Sequence, residues 1–203
     1  MERLPDKLKG RLARRDARRE TKKRQITQSA RRALVELGFA NTSLRDIAQK
    51  SDLSLGMLHY YFDDRYDLII HCVATYKDAF VGRARAALEP VQGRAQAIEA
   101  FAGALATSLA EDTMSHRLWY DIRTQAMFDD TFRPIVAEIE EDLIDVVRLA
   151  FDRAGHGETE HAPVHYAVLD GVFRFVMQGQ SGDAVRNLED MKDLFRSVLS
   201  RFL

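Results

Sequence analysis

Apolar residues recur three or four positions apart along most of this chain, and that spacing constrains the fold more than any other feature. The stretch from Arg18 to Leu37 shows one such stripe, formed by Ile26, Ala30, Ala33, Leu34 and Leu37. This period is typical of amphipathic helices. The chain has no sustained alternation of apolar and polar residues, and its Asp170-Gly171 pair lies inside a helical pattern. We therefore predict an all-α fold.

Capping and turn residues divide this pattern into separate helices. We expect helices over 18–37, 44–50, 55–61, 65–87, 95–110, 115–128, 131–154, 163–178 and 187–202. Gly38 stands where glycine commonly ends a helix. The candidate N-caps that follow are Asn41, Thr42, Ser43, Ser54 and Asp64, and Asp67 completes a possible capping box with Asp64. Residues 155–162 and the turn at Gly179, Ser181 and Gly182 separate the last helices.

Charge is distributed unevenly along the 203 residues. Residues 1–65 contain 16 basic and 9 acidic residues, whereas residues 66–203 contain 14 basic and 22 acidic ones. The basic run is Arg11, Arg14, Arg15, Arg18, Arg19, Lys22, Lys23 and Arg24. A basic end on an acidic chain suggests a polyanionic partner for that end, and a solvated tail is the equally weighted alternative. We expect residues 1–17 to form a basic flexible arm.

Composition narrows the class of protein further. The chain is 46% hydrophobic and 30% charged, which fits a soluble globular protein. Its single cysteine, Cys72, excludes an intramolecular disulfide framework and a multi-thiolate metal site. No apolar run approaches the roughly 20 residues of a membrane helix, and no secretory signal precedes the first helix. We expect a cytoplasmic protein with no membrane partner and no cofactor.

Two short predicted helices joined by a tight turn form a helix-turn-helix. The first is Leu44–Lys50, the turn is Ser51–Leu53 and the second is Leu55–Tyr61. The expected inward set is Ile47, Ala48, Leu53, Leu58 and Phe62, which leaves Arg45, Leu55, Gly56, Met57, His59 and Tyr60 facing outward. Such a unit docks its second helix in the DNA major groove.

The stretch 24–70 resembles the DNA-binding domain of the TetR family of bacterial transcriptional regulators. The segments that carry the resemblance are Thr42–Ala48, Leu53–Phe62 and Asp67–Ile69. Tyr60-Tyr61-Phe62 and Leu169-Asp170-Gly171 weakly resemble the branch that includes the repressor of betaine synthesis. The resemblance implies a three-helix DNA-binding domain over 18–65, followed by a helical-bundle ligand-binding and dimerisation domain over 66–203.

The resemblance also implies roles for individual residues. Arg45 would approach a base, and phosphate contacts would come from Thr42, Ser43, Ser54, His59, Tyr60 and Arg65. For His59 and Tyr60 the alternative is packing against the first helix. Leu55 and Met57 stand where polar residues are common and could meet thymine methyls, while Gly56 lets the backbone approach DNA. Asp52 stands in the turn where the family usually has glycine, and aspartate tolerates the left-handed conformation.

No catalytic constellation stands out in the second half of the chain, so we do not expect an enzyme. Candidate ligand-binding residues are Phe101, Trp119, Tyr120, Met127, Tyr166, Phe173 and Met177. They are aromatic and methionine positions at helical spacing, for which an ordinary bundle core is the alternative. Trp119, Tyr120 and Tyr166, near Asp121 or Asp170, could form an aromatic box for a cation. His156, Glu158, Glu160, His161 and His165 form a cluster, but a polar loop explains it better than a metal site.

The last two predicted helices carry a second set of apolar residues. We expect a homodimer interface formed by Val168, Val172, Phe175, Leu188, Met191, Phe195 and Val198. The alternative is burial of these residues within the same subunit. A dimer would let two helix-turn-helix units read two half-sites of double-stranded DNA.

These expectations combine into a ligand-responsive DNA-binding transcriptional regulator. We predict a homodimeric repressor that a small-molecule effector of unknown identity releases from a palindromic operator. The effector would favour a conformation in which the fourth helix, Arg65 to Ala87, moves the two reading heads out of register. The alternative is a helical enzyme or small-molecule carrier whose basic arm contacts RNA or a membrane.

Overall fold

The computed structural model describes residues 6–38, 42–157, 160–179 and 186–203, with side chains from residue 17 onward. The helices are α1 (Asp6–Leu37), α2 (Leu44–Lys50), α3 (Leu55–Tyr61), α4 (Arg65–Leu88), α5 (Arg94–Gln125), a 3-10 turn (Asp130–Phe132), α6 (Arg133–Ala154), α7 (Ala162–Gln178) and α8 (Leu188–Leu199). No strand occurs within these ranges, and the predicted all-α fold is confirmed. The chain divides into two compact units, one ending at Thr75 and one beginning at Tyr76.

The first unit is built around the apolar stripe of α1. Ile26 and Leu34 of α1 are almost fully buried, as are Ile47 of α2, Leu58 of α3 and Phe62 just after α3. Burial of each such side chain contributes about 1.5–3 kcal/mol relative to exposure. Helices of seven residues are not stable alone, so this shared core is what holds α2 and α3 in place.

The first turns of α4 pack into the first compact unit. Leu68, Ile69, Cys72 and Val73 of α4 are buried, and the Cys72 thiol lies 3.6 Å from the carbonyl oxygen of Thr27. These residues belong to the first compact unit, which extends to Thr75. The reason is physical: the first two turns of α4 supply the fourth wall of the small amino-terminal core.

The structure describes the predicted arm over residues 1–17 from residue 6 onward. Helix α1 begins at Asp6, so residues 6–17 of the predicted arm are helical in the structure. Arginine, lysine, alanine and leucine dominate this stretch, and all four have high helix propensity. Residues 1–5, and the side chains of the arginines at 11, 14 and 15, lie outside the described part.

Local capping signals act as predicted. Gly38 adopts φ +78° after α1, and its N–H donates to the Leu34 carbonyl at 2.9 Å. The Asp64 carboxylate accepts from the Asp67 N–H at 2.9 Å, which caps α4. The return bond comes from the Asp63 N–H to the Asp67 carboxylate, one residue earlier than in a standard capping box. Asn41, another candidate cap, lies outside the described residues.

In the second unit, α6, α7 and α8 pack on the long helix α5. We expected two helices over 95–110 and 115–128, but the structure has one helix that bends at Asp112, where φ is −126° and ψ is 23°. Arg83 pairs with the Asp112 carboxylate at 3.0 Å beside this bend. The polar residues around 111–114 therefore mark a kink and not a loop.

Helix α8 is fixed to α5 by one acidic residue. Glu99 of α5 accepts from the Arg196 guanidinium at 3.0 Å and also pairs with Lys192. Beneath these ion pairs Phe195 is fully buried. The other predicted helices lie within a few residues of their observed bounds, and the turn residues Ser181 and Gly182 fall outside the described ranges. Across those ranges, no helix combines the length and apolarity needed to span a membrane.

Candidate nucleic-acid interface and effector cavity

The turn between α2 and α3 is a left-handed helix cap made without glycine. Asp52 has φ +55°, and it alone among the described non-glycine residues has a positive φ. The Leu53 N–H donates to the Ala48 carbonyl at 3.0 Å, which is the long bond of a Schellman motif. The predicted left-handed conformation of Asp52 is confirmed. This cap fixes the direction in which α3 leaves α2.

Two serines cap the helices of this unit in different ways. Ser43 Oγ accepts from the Asp46 N–H at 3.2 Å, while the Asp46 carboxylate accepts from the Ser43 N–H at 2.8 Å and from its hydroxyl. These bonds lower the pKa of Asp46. Ser54 Oγ accepts from the Met57 N–H at 3.1 Å at the start of α3. Because Ser54 accepts in its cap bond, its hydroxyl proton can still be donated to a phosphate oxygen.

Helix α3 presents an open face opposite the buried Leu58. Tyr60 is 71% exposed, so packing against α1, the alternative for this residue, does not occur. His59, Gly56 and Arg45 of α2 are also exposed, whereas Leu55 and Met57 are half-buried. A Cβ added at Gly56 would meet no atom within 4 Å, so the surface there is open to a close approach.

Thr42 and Arg65 have structural partners within the unit. Thr42 is only 1% exposed and donates its hydroxyl to the Gly38 carbonyl, so its side chain is not available to a phosphate. The half-buried Arg65 donates from Nη1 to the Thr42 carbonyl at 3.2 Å and from Nη2 to the Tyr66 hydroxyl at 3.3 Å. Arg65 therefore holds the start of α2 against α4.

The sequence of this unit matches a known domain. The family model described as "Bacterial regulatory proteins, tetR family" matches residues 26–72. This range contains the helix-turn-helix, both serine caps and the first two turns of α4. Residues 26–72 are therefore similar to the DNA-binding domain of the TetR family.

Solved TetR-family structures share the whole fold. A TetR-family member from Streptomyces coelicolor is 25% identical with a TM-score of 0.70, and the match covers 88% of this chain and 96% of that one. A TetR-like transcriptional regulator from Rhodococcus is 20% identical with a TM-score of 0.69, covering 98% and 97%. The fatty acid degradation regulator FadR from Bacillus halodurans is 16% identical with a TM-score of 0.71, covering 89% and 96%. A search of curated proteins found no match.

The second unit contains a small, mostly apolar cavity of about 40 Å³. Its lining residues are Lys77, Phe80, Phe101, Leu105, His116, Tyr120, Leu143, Val146, Val147, Tyr166, Leu169, Asp170 and Phe173. Four of the predicted ligand-binding residues are thus brought together: Phe101, Tyr120, Tyr166 and Phe173. Trp119 and Met177 are buried but do not line the cavity. Met127 is 71% exposed and lines a separate open groove of about 580 Å³, which shares Tyr120 with the cavity.

Lys77 lines this cavity, and the sequence analysis did not single it out. It is only 4% exposed, and its Nζ lies 4.7 Å from the centre of the Trp119 ring and 5.1 Å from that of Phe80. Burial lowers the pKa of Lys77 to about 7, although the nearby Asp170 carboxylate opposes this shift. The sequence does contain a sign of its burial, because Lys77 lies between Tyr76 and Phe80 in the apolar part of α4.

The predicted aromatic box does not offer its faces to an external cation. The ammonium of Lys77 lies over Trp119, and the guanidinium of Arg174 lies 5.6 Å from the centre of the Tyr120 ring. The chain's own cations therefore stand at two of the three predicted rings. This finding removes the basis for expecting a cationic ligand.

His116 is a second buried polar residue of the cavity. Its Nε2 lies 3.0 Å from Ser108 Oγ, and its ring packs edge-on against Tyr76, Phe80 and Phe173. Burial, with the charge of Lys77, holds the pKa of His116 well below its usual value. The imidazole is therefore neutral near pH 7.

Asp170 ties three helices together at the edge of the cavity. Its carboxylate accepts from the Tyr120 hydroxyl at 2.8 Å and from Arg123 Nη1 at 2.5 Å. Arg123 Nε also pairs with Glu140 Oε1 at 2.6 Å, so α5, α6 and α7 meet in one network. Burial and the negative charge of Asp170 raise the pKa of Tyr120, which keeps its hydroxyl protonated.

The histidine cluster before α7 is engaged in packing. The His165 ring stacks between Phe151 and Phe202, with centroids 4.8 Å from each, and His156 Nε2 bonds with the backbone oxygen of Leu203. Glu158 lies outside the described residues, and Glu160 and His161 follow it. Within the described part, no group of three or more potential ligands is placed to hold a metal ion.

The predicted interface residues divide between surface and core. Val168, Phe175 and Leu188 are exposed, and Val172 and Val198 are partly exposed. Met191 and Phe195 are instead buried in the core of the same subunit, which was the alternative for the whole set. They lie on the face of α8 that packs against α5, so they are not available to a partner.

Proposed function

We propose that this TetR-family regulator reads a palindromic operator with the exposed face of α3, as a homodimeric repressor. The single observation that supports this proposal most strongly is the exposed α3 face on a helix-turn-helix with both helix starts capped. Arg45 would approach a base edge, because arginine can bond guanine in bidentate fashion. Ser54, His59 and Tyr60 would donate to phosphates, and Leu55, Gly56 and Met57 would lie closest to the bases.

Arg65 and Ser43 have a different place in this proposal. Their side chains bond within the unit, to Thr42 and Asp46 respectively, and so position α2. Ser43 is exposed, and Arg65 is a cation at the start of α4. The Arg65 guanidinium would attract the DNA phosphates by its positive charge, and Ser43 would lie near them at the start of α2. Thr42 would contribute only its backbone groups.

The dimer proposal rests on an apolar stripe along α7. Val164, Val168 and Phe175 are exposed, while Leu169 and Phe173 on the opposite side of the same helix are buried. A helix that is apolar on both faces is expected to be covered on both. A second copy of the chain could cover the outer face by presenting the same stripe around a twofold axis.

The effector proposal rests on the cavity in the second unit. Its volume of about 40 Å³ is far below the roughly 300 Å³ of a typical ligand pocket. A ligand can therefore enter only if the lining side chains move, which makes the occupied and empty conformations different. Helix α4 begins in the DNA-binding unit and carries Lys77 and Phe80 to the cavity wall, so it is the element that an effector would displace.

A genomic binding selection on the purified protein tests this function. Fragments retained by the protein are sequenced, and we expect enrichment of one inverted repeat. The triple variant Arg45→Ala, His59→Ala, Tyr60→Ala removes three exposed side chains and should lose that enrichment. Retention without sequence preference by both proteins would favour the alternative, a helical enzyme or carrier whose basic end contacts RNA or a membrane.

A further inference from the structure

Several residues that line the cavity carry polar groups without a hydrogen-bond partner in the described part of the chain. Lys77 is 4% exposed, and the contacts of its ammonium within the described part of the chain are with the rings of Tyr76, Phe80 and Trp119. The buried hydroxyl of Tyr166 has no hydrogen-bond partner there, and neither does Nδ1 of His116. All three residues line the same cavity. Burying an ammonium group unpaired is costly, so this arrangement favours a ligand that brings acceptor atoms.

Among the described residues that line the cavity, Asp170 is the one with a carboxylate, and that carboxylate already has hydrogen-bond partners. Asp170 accepts from Tyr120 and Arg123, and Arg123 is held in turn by Glu140. Asp170 therefore attracts Lys77 at a distance but does not form an ion pair with it. An anionic ligand in the cavity could therefore pair with the Lys77 ammonium without displacing Asp170 from it.

The remainder of the lining is hydrocarbon. Leu105, Leu143, Val146 and Val147 supply aliphatic walls from α5 and α6. The volume of the cavity is only about 40 Å³. A cavity of this size suits a compact polar head group. An alkyl chain attached to that head group would have to push these aliphatic side chains aside.

We propose that the effector is an apolar carboxylic acid whose carboxylate pairs with Lys77 and accepts from the Tyr166 hydroxyl. Calling this ligand the effector rests on the proposed function. The binding chemistry depends only on the residues that line the cavity. Binding is non-covalent: the carboxylate oxygens accept hydrogen bonds from the ammonium and the phenol, and no bond is broken.

Proton uptake should accompany binding. The charged and titratable groups around Lys77 are His116, Tyr120 and Arg123 on α5, Glu140 on α6, and Tyr166 and Asp170 on α7. Of these, His116 is neutral and the tyrosines stay protonated near pH 7, because burial shifts each pKa that way. Since the pKa of Lys77 is about 7, Lys77 is the group that gains a proton when an anion binds between pH 7 and 9.

Three probes with the same alkyl chain separate the head groups: octanoate, octanamide and octylamine. Trp119 is the only tryptophan in the chain, and its ring lies 4.7 Å from the Lys77 ammonium, so its fluorescence reports on this cavity. We expect octanoate to bind at least tenfold more tightly than either of the others at pH 6.5. Equal affinities, or tighter binding of octylamine, would overturn the proposal.

Lys77→Met keeps the length and apolar bulk of the side chain and removes the charge. Loss of a charge-assisted hydrogen bond is expected to weaken octanoate binding by about 10- to 100-fold, with little change for octanamide. Lys192→Met, which removes a lysine from α8, is the matched control and should bind octanoate normally. Tyr166→Phe should cost octanoate a smaller factor. An unchanged octanoate affinity in folded Lys77→Met would contradict the assignment.

A pH series gives a second readout that a purely structural role would not produce. Above about pH 7 the affinity for octanoate should fall about tenfold per pH unit, and calorimetry should register uptake of up to one proton. Both effects should disappear in Lys77→Met. If octanoate does not bind but the operator does, this inference fails and the proposed function stands. If octanoate binds as described and no operator is found, the proposed function fails while the cavity chemistry stands.

Discussion

The ammonium nitrogen of Lys77 lies 4.7 Å from the centre of the Trp119 ring, in a core where both side chains are almost fully buried. Burial lowers the pKa of Lys77 from 10.5 to about 7. Because the unfolded chain keeps its proton to higher pH, the unfolded state binds more protons than the native state between pH 7 and about 10. The free energy of unfolding should therefore rise with pH in this window, by up to about 1.4 kcal/mol per pH unit.

Lys77→Met should remove this pH dependence and increase stability below pH 7. At those pH values both states of the wild-type protein carry the charge, so the desolvation penalty is fully present in the native state. Urea unfolding followed by Trp119 fluorescence at pH 6.5, 7.5 and 8.5 measures the effect. Lys192→Met should keep the wild-type slope, and a wild-type slope in Lys77→Met would show that another group titrates.

The bond between Tyr120 and Asp170 predicts a second effect on stability. Tyr120→Phe removes one hydroxyl, and Asp170 keeps its bond to Arg123, so we expect a loss of about 1 kcal/mol. Asp170→Asn leaves the half-buried Arg123 with Glu140 alone and should cost about 1–3 kcal/mol. A double-mutant cycle in urea should show that the two losses are not additive. Additive losses would mean that the 2.8 Å bond contributes little to stability.

Local signals explain why the amino-terminal half was predictable. Ser43, Ser54 and Gly38 act on neighbours within four residues, so their roles can be derived without tertiary information. Asp52 is the clearest example of such a local effect. The turn places this residue in the left-handed conformation, which aspartate tolerates better than most residues.

The cavity and the interface depend on which element covers each helix, and a sequence pattern does not contain that information. Lys77 looks like an exposed residue until α5 and α7 enclose it. Periodicity identified Phe175 and Phe195 alike as apolar, but α5 covers only Phe195. The same limit explains Met127, whose helical spacing suggested the cavity although it lies in the open groove.

Asp52→Gly should stabilise the first unit. Aspartate at φ +55° costs about 1 kcal/mol relative to glycine, partly offset by the greater freedom of glycine in the unfolded chain. We therefore expect a small gain, below about 1 kcal/mol, and a loss of about 1–2 kcal/mol for Asp52→Val, because β-branched residues disfavour this region. Helical circular dichroism during thermal unfolding measures both. A destabilising glycine would mean that the aspartate carboxylate has a role that the backbone angle does not explain.

Arg45 and Arg65 should affect operator binding in different ways. Arg45→Ala removes an exposed side chain and should reduce discrimination at one base position by about 1–3 kcal/mol, with the fold intact. Arg65→Ala should weaken binding to all sequences and reduce the slope of log K against log salt by about 0.9. It should also lower the stability of the first unit, because the bond to the Thr42 carbonyl is lost.

Electrophoretic titrations over a salt series, with matched and mismatched operators, separate these two effects. Thermal unfolding of each variant accounts for the structural part of the Arg65 change. Identical losses of discrimination and identical salt slopes in the two variants would contradict the division of roles.

The exposed stripe on α7 gives the last prediction. Phe175 is 61% exposed in the single chain, and in the proposed dimer it faces the same helix of the partner. Phe175→Glu would place two carboxylates in an apolar interface, where their desolvation is costly, so we expect monomers by sedimentation and much weaker operator binding. Phe128→Glu changes a still more exposed phenylalanine, 80% exposed, which follows α5 and is not part of α7, and should remain dimeric. A dimeric Phe175→Glu beside a monomeric Phe128→Glu would place the interface at the turn after α5 and not on α7.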